Sequence, residues 1–346
     1  MTPEQSASFV EAVPMPAVLI RRDERIEAAN SGARTLLGDG IVGRHFITAL
    51  RQPGLLDAIE ATLRDGAPRD AQYLTNDGRQ DTTFRVTVRP VMLTLTHGAL
   101  VCFEDITHLE QAGQMRRDFV ANVSHELKTP LTALMGFIET LKGPARNDAP
   151  ARERFLTIME SEAGRMNRLV GDLLSLSRVE AEERMRPTQL VDPVAVLRST
   201  LHGLAQLAER ARVTVYLEAP ETPFQIVGDS DQLRQVFTNL IENAVKYGGA
   251  GADVFVTVAA PAYEPRLRGA ATRISVRDTG PGIDPVHVPR LTERFYRVDA
   301  HRSREKGGTG LGLAIVKHIV NRHRGRLRIS SAPGKGTEVT ILLPAN

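Results

Sequence analysis

The rhythm of hydrophobic and polar positions takes three successive forms along the chain. In residues 1–108, Ala17 to Ile20 is apolar and Arg25 to Ala29 reads as a second short strand, with Asn30, Gly38 and Gly40 as punctuation. Leu55 to Leu63 has helical spacing. Phe84, Val86 and Val88 alternate with Arg85, Thr87 and Arg89, and Ala99 to Phe103 forms a final apolar strand. From 109 to 185 the period lengthens: Phe119, Val123, Leu127, Leu131, Leu134, Ile138 and Leu141 recur at steps of three and four. Gly143-Pro144 to Pro150 breaks the pattern, which resumes from Phe155 through Ile158, Met159, Met166, Leu169, Val170, Leu173, Leu174 and Leu176. This predicts an antiparallel hairpin of two helices, each about 30 residues long. One hairpin cannot bury both stripes, so dimerisation into a four-helix bundle is expected; packing of a lone hairpin on its neighbours is the alternative. From 186 to 346, strands (Val213 to Leu217, Val254 to Ala259, Arg273 to Arg277, Arg326 to Ser330, Glu338 to Leu343) alternate with helices (Ser230 to Lys246, Leu311 to Arg322). That is an α/β sandwich, with Pro187 and Pro193 flanking an expected hinge before it.

Composition narrows the class. The chain has 346 residues, 42% hydrophobic and 25% charged, with 28 Gly and 20 Pro, which excludes wholesale disorder and collagen and leaves room for several cores. The longest apolar runs, Val91 to Leu95 and Ala99 to Phe103, fall far short of a membrane-spanning helix, and the N-terminus has no basic start followed by an apolar block. A cytosolic protein is expected. The single cysteine, Cys102, has no internal partner and sits in an apolar run, where a buried, inert thiol is expected. The net charge of +3 is uneven. Residues 1–108 carry 11 Lys+Arg against 14 Asp+Glu, residues 109–185 carry 11 against 12, and residues 186–346 carry 22 against 15. The basic excess of the last segment suits a polyanion, nucleotide or nucleic acid.

His125 lies two residues from Val123 and two from Leu127, so it points away from the apolar stripe. An exposed imidazole on a rigid helix can act as a nucleophile. Glu126 is adjacent, Thr129 lies one turn on, and Pro130 removes the amide that would bond to the Glu126 carbonyl, so a bend after the histidine is expected. From the residues alone an exposed histidine beside a tolerated proline is an equal reading. Zinc binding by His-Glu-x-x is disfavoured because position 129 is not a second histidine.

The segment Asp118-Phe-Val-Ala-Asn-Val-Ser-His-Glu-Leu-Lys-Thr-Pro-Leu-Thr132 strongly resembles the H-box of sensor histidine kinases. The resemblance implies that His125 accepts the ATP γ-phosphoryl group on a ring nitrogen. It implies that Glu126 orients the ring and helps take up its proton, and that Thr129 orients water for dephosphorylating a response regulator. Upstream, the run Arg25 to Ala33 with Leu36-Leu-Gly38, closing on Glu104-Asp-Ile-Thr107, resembles a PAS domain. Such modules bind haem, flavin, small metabolites or nothing. His45, His97 and His108 read as surface histidines rather than haem ligands.

In the third segment, Asn239, Glu242, Asn243 and Lys246 fall at i, i+3, i+4 and i+7, one polar stripe opposite Phe237, Ile241 and Ala244. Solvated faces favour Glu and Lys over Asn; amide oxygens suit Mg²⁺ and an ammonium suits phosphate. Further on come Asp278-Thr-Gly-Pro-Gly-Ile283, Glu293-Arg-Phe-Tyr-Arg297 and Gly307-Gly-Thr-Gly-Leu-Gly-Leu313, the last at the start of a helix. Glycines admit close backbone approach to phosphates, and a helix start offers unpaired N–H groups. Neither a Walker loop nor a dinucleotide fingerprint is present. In order, the four blocks resemble the N, G1, F and G2 boxes of the Bergerat-type (GHKL) ATP-binding domain that histidine kinases share with gyrase, the Hsp90 chaperones and MutL. Carried over, Asn243 and Asn239 would hold Mg²⁺, with Glu242 positioning water or metal. Lys246 and Arg297 would touch phosphates, with Tyr247 near the nucleotide. Asp278 would accept from the adenine amino group, and Gly280 and Gly282 would shape the base pocket. Gly308, Gly310, Leu311 and Gly312 would close over the phosphates. Asp299 to Lys306, with Arg302, Arg304 and Lys306, resembles the mobile ATP lid.

The expected organisation is multidomain α+β: a PAS-like sensor domain at 1–108, a dimerisation and phosphotransfer hairpin at 109–185, and the catalytic ATP-binding domain at 186–346. Asp118 to His125 and Gly136-Phe-Ile-Glu-Thr-Leu141 most resemble sensors of the phosphate regulon. The resemblance implies a homodimer that uses ATP and Mg²⁺ to phosphorylate His125 and passes the phosphoryl group to an aspartate of a response-regulator receiver domain. It would sense a cytosolic signal or hear from a membrane-bound partner. The basic residues of Lys317 to Arg328 are spread over a helix end, a turn and a strand with no interleaved aromatics, so no direct nucleic-acid binding is expected. Two rivals stand beside this reading: an ATP-driven conformational machine that never phosphorylates itself, and a regulator phosphatase or scaffold.

Overall fold

The computed structural model describes residues 2–76, 78, 81–93, 96–183, 185–299 and 307–345. They form two compact units, Met1–Ala121 and Asn122–Asn346.

The first unit contains α1 (Pro3–Glu11), β1 (Ala17–Arg21), β2 (Ile26–Ala29), α2 (Ser31–Leu37), α3 (Pro53–Asp65), β3 (Arg69–Asn76), β4 (Asp81–Leu93) and β5 (Thr96–Asp105). The strands make one antiparallel sheet in the order β2-β1-β5-β4-β3. The alternation read in β4 is present in space. Phe84, Val86 and Val88 are buried against Phe103, Val101, Phe46, Leu55 and Ile59. Asn30, which reads in the sequence as mere punctuation, is buried and ties three segments together. Its side chain accepts from Ala17 N–H (3.0 Å) and Ala33 N–H (2.9 Å) and donates to the Val13 (3.1 Å) and Met15 (2.7 Å) carbonyls. Cys102 is half-buried rather than buried, because β5 turns it away from the main core; desolvation still pushes its thiol up, which keeps it unreactive. His97 and His108 are exposed, and His45 pairs with Glu24 at 2.9 Å.

Helix α4 (Thr107–Lys142) begins in the first unit and ends in the second, and α5 (Ala149–Glu182) follows after a short turn. Asp148 caps α5 by accepting from Ala151 N–H at 2.9 Å. Helix α4 continues without interruption through Pro130.

The rest of the second unit comprises β6 (Gln189–Val191), α6 (Pro193–Ala211), β7 (Thr214–Glu218), β8 (Ile226–Gly228), α7 (Ser230–Gly248), β9 (Asp253–Val258), β10 (Ala262–Glu264), β11 (Gly269–Asp278), α8 (Gly312–Arg322), β12 (Arg326–Ser331) and β13 (Thr337–Pro344). The main sheet runs β12-β13-β11-β9-β7 with β10 on β11; only the β7–β9 pair is parallel. Phe237, Ile241 and Ala244 of α7 are buried, as their spacing requires, and so are Ile315 and Ile319 of α8 and Val254, Ile274 and Ile341 of the sheet. The expected hinge between Pro187 and Pro193 is instead structured. Strand β6 between them pairs with β8, and Pro193 occupies the first turn of α6, where Asp192 accepts from Val194 N–H (2.8 Å) and Ala195 N–H (3.1 Å).

Candidate nucleotide and phosphoacceptor site

A cavity of about 690 Å³ opens between α7, the end of β11, the glycine loop before α8 and one flank of α5. Helix α7 carries Asn239, Glu242, Asn243, Lys246 and Tyr247 along its wall. They stay on that side because Leu233, Phe237, Leu240 and Ile241 take the other into the core. Lys246 pairs with Glu242 one turn before it, and Asn239 Nδ2 donates to the Gly312 carbonyl at 3.3 Å, tying the glycine loop to α7.

At the floor, Asp278 closes β11. Oδ1 accepts from Gly280 N–H (2.9 Å) and Thr337 N–H (3.3 Å), leaving Oδ2 for a ligand. Desolvation pushes this carboxyl above its ordinary value, and the two amide bonds pull it part of the way back. Gly280 is the one residue the floor tolerates: a Cβ there would stand 2.7 Å from the Gly248 Cα. It packs under the cavity, whereas Gly282 lines it.

The glycine loop contributes Gly307, Gly308, Thr309, Gly310 and Gly312 to the wall. Leu311 differs from the expectation that it closes over phosphates. Its side chain is fully buried in the core, and its N–H donates to Thr309 Oγ1 at 3.3 Å. The lid stretch from Ala300 to Lys306, with Arg302, Arg304 and Lys306, lies outside the described residues.

His125 is exposed on α4. Its carbonyl accepts the Thr129 hydroxyl at 3.1 Å. Glu126 faces inward and receives two guanidiniums: Arg165 of α5 at 2.6 Å and Arg297 at 3.2 Å, with side-chain exposures of 14%, 11% and 7% that make this a largely desolvated cluster. Arg297 also lines the cavity, and its buried Nε has no hydrogen-bond partner among the described residues. Arg297 thus reaches Glu126 from the same wall that would face a phosphate.

Several functional contacts are invisible in the sequence because they join distant segments. Arg168, Gly171 and Asp172 of α5 form one cavity wall, and Asp172 accepts the Thr309 hydroxyl at 2.6 Å. Below them, Ser175 bonds Gln235 (2.9 Å), Glu180 bonds Arg294 (2.6 Å), and Glu183 bonds His318 (2.9 Å) and Asn321 (3.1 Å). Their signal in the sequence is polar residues recurring at steps of three to five along α5 and into its C-cap, at 168, 172, 175, 180 and 183.

Comparison with known proteins places both parts. Residues 115–182 match the His Kinase A (phospho-acceptor) domain, and residues 228–346 match the histidine kinase-, DNA gyrase B-, and HSP90-like ATPase. The sensor-like histidine kinase SenX3 of Mycolicibacterium smegmatis is 36% identical over 271 residues, 78% of this chain and 68% of SenX3. The chain belongs to the sensor histidine kinases. The phosphate regulon sensor protein PhoR of Pseudomonas aeruginosa is 45% identical over 241 residues, 70% of this chain and 53% of PhoR. The sensor histidine kinase WalK of Bacillus subtilis is 34% identical over 345 residues, 98% of this chain and 55% of WalK. The chain thus spans about half the length of those two kinases. The histidine kinase ThkA, solved in complex with response regulator protein TrrA, shares the fold with a TM-score of 0.53 at 19% identity over 98% of each chain. Among the described residues, no helix is long and apolar enough to cross a membrane.

Proposed function

We propose that this kinase autophosphorylates His125 from Mg-ATP and passes the phosphoryl group to an aspartate of a response-regulator receiver domain. The observation that carries the reading is the bond from Arg297, a residue of the cavity wall, to Glu126, the immediate neighbour of the exposed His125. One guanidinium thus joins the cavity wall to the residue next to His125.

In this reading Asp278 Oδ2 accepts the adenine amino group, which selects adenine over guanine, with Gly282 and Tyr247 beside the base. Lys246, Arg297 and the Gly308, Gly310 and Gly312 backbone serve the phosphates. Asn239, Asn243 and Glu242 line the cavity, and their amide and carboxylate oxygens would hold Mg²⁺ there. Such an ion would neutralise phosphate charge. A ring nitrogen of His125 attacks the γ-phosphorus; the P–N bond forms as the P–O bond to the β-phosphate breaks, and ADP leaves with that electron pair. Glu126 takes the proton shed by the other ring nitrogen. Thr129 would orient water for the reverse task of dephosphorylating the regulator.

Leu131, Met135, Leu156 and Leu174 are 47–66% exposed along the hairpin, which supports pairing of two copies into a four-helix bundle. The sheet order β2-β1-β5-β4-β3 packed against short helices supports a PAS-like sensor domain, and the likeness to PhoR supports a role in phosphate-starvation signalling. The organisation follows as sensor 1–108, hairpin 109–185 and catalytic domain 186–346, in a cytosolic kinase that senses an internal signal or hears from a membrane-bound partner. Parallel incubations with α-labelled and γ-labelled ATP test the kinase step. Label is expected on the protein from the γ position only, absent from His125→Gln and retained in Thr129→Ala. Label from the α position, or label retained in His125→Gln, would contradict it.

A further inference from the structure

Asp172 takes no part in the chemistry above, yet it stands at the phosphate end of the cavity. Its carboxylate accepts the hydroxyl of Thr309, whose loop would close over a nucleotide's phosphates, so α5 is fastened to that loop. Desolvation raises the Asp172 carboxyl, the Thr309 bond lowers it, the charge of Glu242 raises it, and Lys246 and Arg168 lower it. The surroundings therefore already tax a negative charge at this position, and a triphosphate brings more negative charge to the same space. At the adenine end the desolvated carboxyl, Asp278, would instead meet an amino group.

We propose that Asp172 couples nucleotide binding to release of α5: while α5 is docked, its carboxylate opposes the phosphates, so triphosphate binding and α5 docking antagonise each other. The inference rests on reading the cavity as the ATP site. Linkage makes the antagonism reciprocal. Contacts that hold α5 down, including Glu180 with Arg294 and Glu183 with His318, weaken ATP binding, and ATP loosens those contacts. Release of α5 and its hairpin also separates Glu126 of α4 from Arg297 of the cavity wall. A carboxylate that instead helped to hold Mg²⁺ would have the opposite sign, since its loss would weaken Mg-ATP.

The test is titration of the full chain, of Asp172→Asn and of Glu180→Gln with Mg-ATP and, separately, with adenosine, alongside hydrogen exchange of the α5 amides. Asp172→Asn is expected to tighten Mg-ATP about 5-fold or more, the scale of a typical coupling between sites. Adenosine affinity should be unchanged, and this also certifies that the base pocket is folded. Glu180→Gln, too far along α5 to meet the phosphates, should tighten Mg-ATP by less. In the native chain Mg-ATP, and not adenosine, should speed exchange in α5. Equal or weaker Mg-ATP binding by Asp172→Asn, or exchange that Mg-ATP leaves unaltered, would overturn this proposal alone. Failure of the native chain to bind either ligand would overturn the reading of the cavity and this proposal with it.

Discussion

Asp278 and His323 illustrate what single buried polar groups decide here. A carboxylate whose Oδ1 is taken by two amides presents its remaining oxygen in a fixed direction, which suits one amino group. Replacing Asp278 by Asn turns part of that acceptor into a donor; ATP affinity should fall about 10- to 100-fold, the cost of an unmade buried bond, with the unfolding midpoint little changed. Fluorescence titration measures this, and unchanged affinity would remove Asp278 from the base pocket. His323 is 2% exposed, donates Nδ1–H to the Ile319 carbonyl (2.8 Å) and accepts Asp229 N–H at Nε2 (3.0 Å), an arrangement only the neutral ring can make. Burial accordingly lowers its pKa from 6.5. The unfolded chain therefore binds the proton first, and the stability present above that range is lost as pH falls through it. The denaturation midpoint should drop more between about pH 7 and pH 5 in the native chain than in His323→Gln; parallel curves would contradict this. Asp278 was legible from its place before Thr-Gly-Pro-Gly. His323 was not, because its partners lie 94 residues away on one side.

At the level of elements, period and breakers carried most of the information. The hairpin was legible because its stripes are long and Gly143-Pro144 is a strong stop. Helix α7 was legible because Phe237 and Ile241 oppose the Asn stripe. Helix α6 was missed although Asp192-Pro193 is a good start signal, since the prolines around β6 read as a hinge. Strand β3 was missed because its residues alternate only between exposed and half-exposed, as an edge strand does. Pro130, where a bend is expected, lies inside a single helix α4, with the Thr129 hydroxyl bonded to the carbonyl of His125. The loop leading into α8 yields another prediction. Gly310 has φ +75°, and a Cβ there would stand 2.9 Å from the Phe295 Cα. Gly310→Ala should therefore displace the loop, weakening ATP binding while costing about 1–3 kcal/mol of stability. Calorimetry of binding and unfolding separates the two, and intact ATP affinity would show that the loop does not serve the phosphates.

At the level of the whole molecule, the sequence disclosed the parts in order but not their mutual contacts. The boxes that make the cavity were each readable, whereas the flank supplied by Arg168 and Asp172 depends on how α5 packs, which no local spacing encodes. The exposed leucines and methionines of the hairpin are what the proposed pairing of two copies would cover. Leu131→Glu together with Leu174→Glu should convert a dimer to monomers in sedimentation velocity, since each buried apolar side chain contributes about 1.5–3 kcal/mol; an unaltered dimer would place the interface elsewhere. Phosphorylation of His125 is read most directly from the stability of the phosphoryl bond it would carry. After incubation with Mg-ATP labelled at the γ position, protein-bound label should survive alkali, be lost in mild acid and map to the peptide containing His125. Label that survives acid, or that maps to any other residue, would contradict the account.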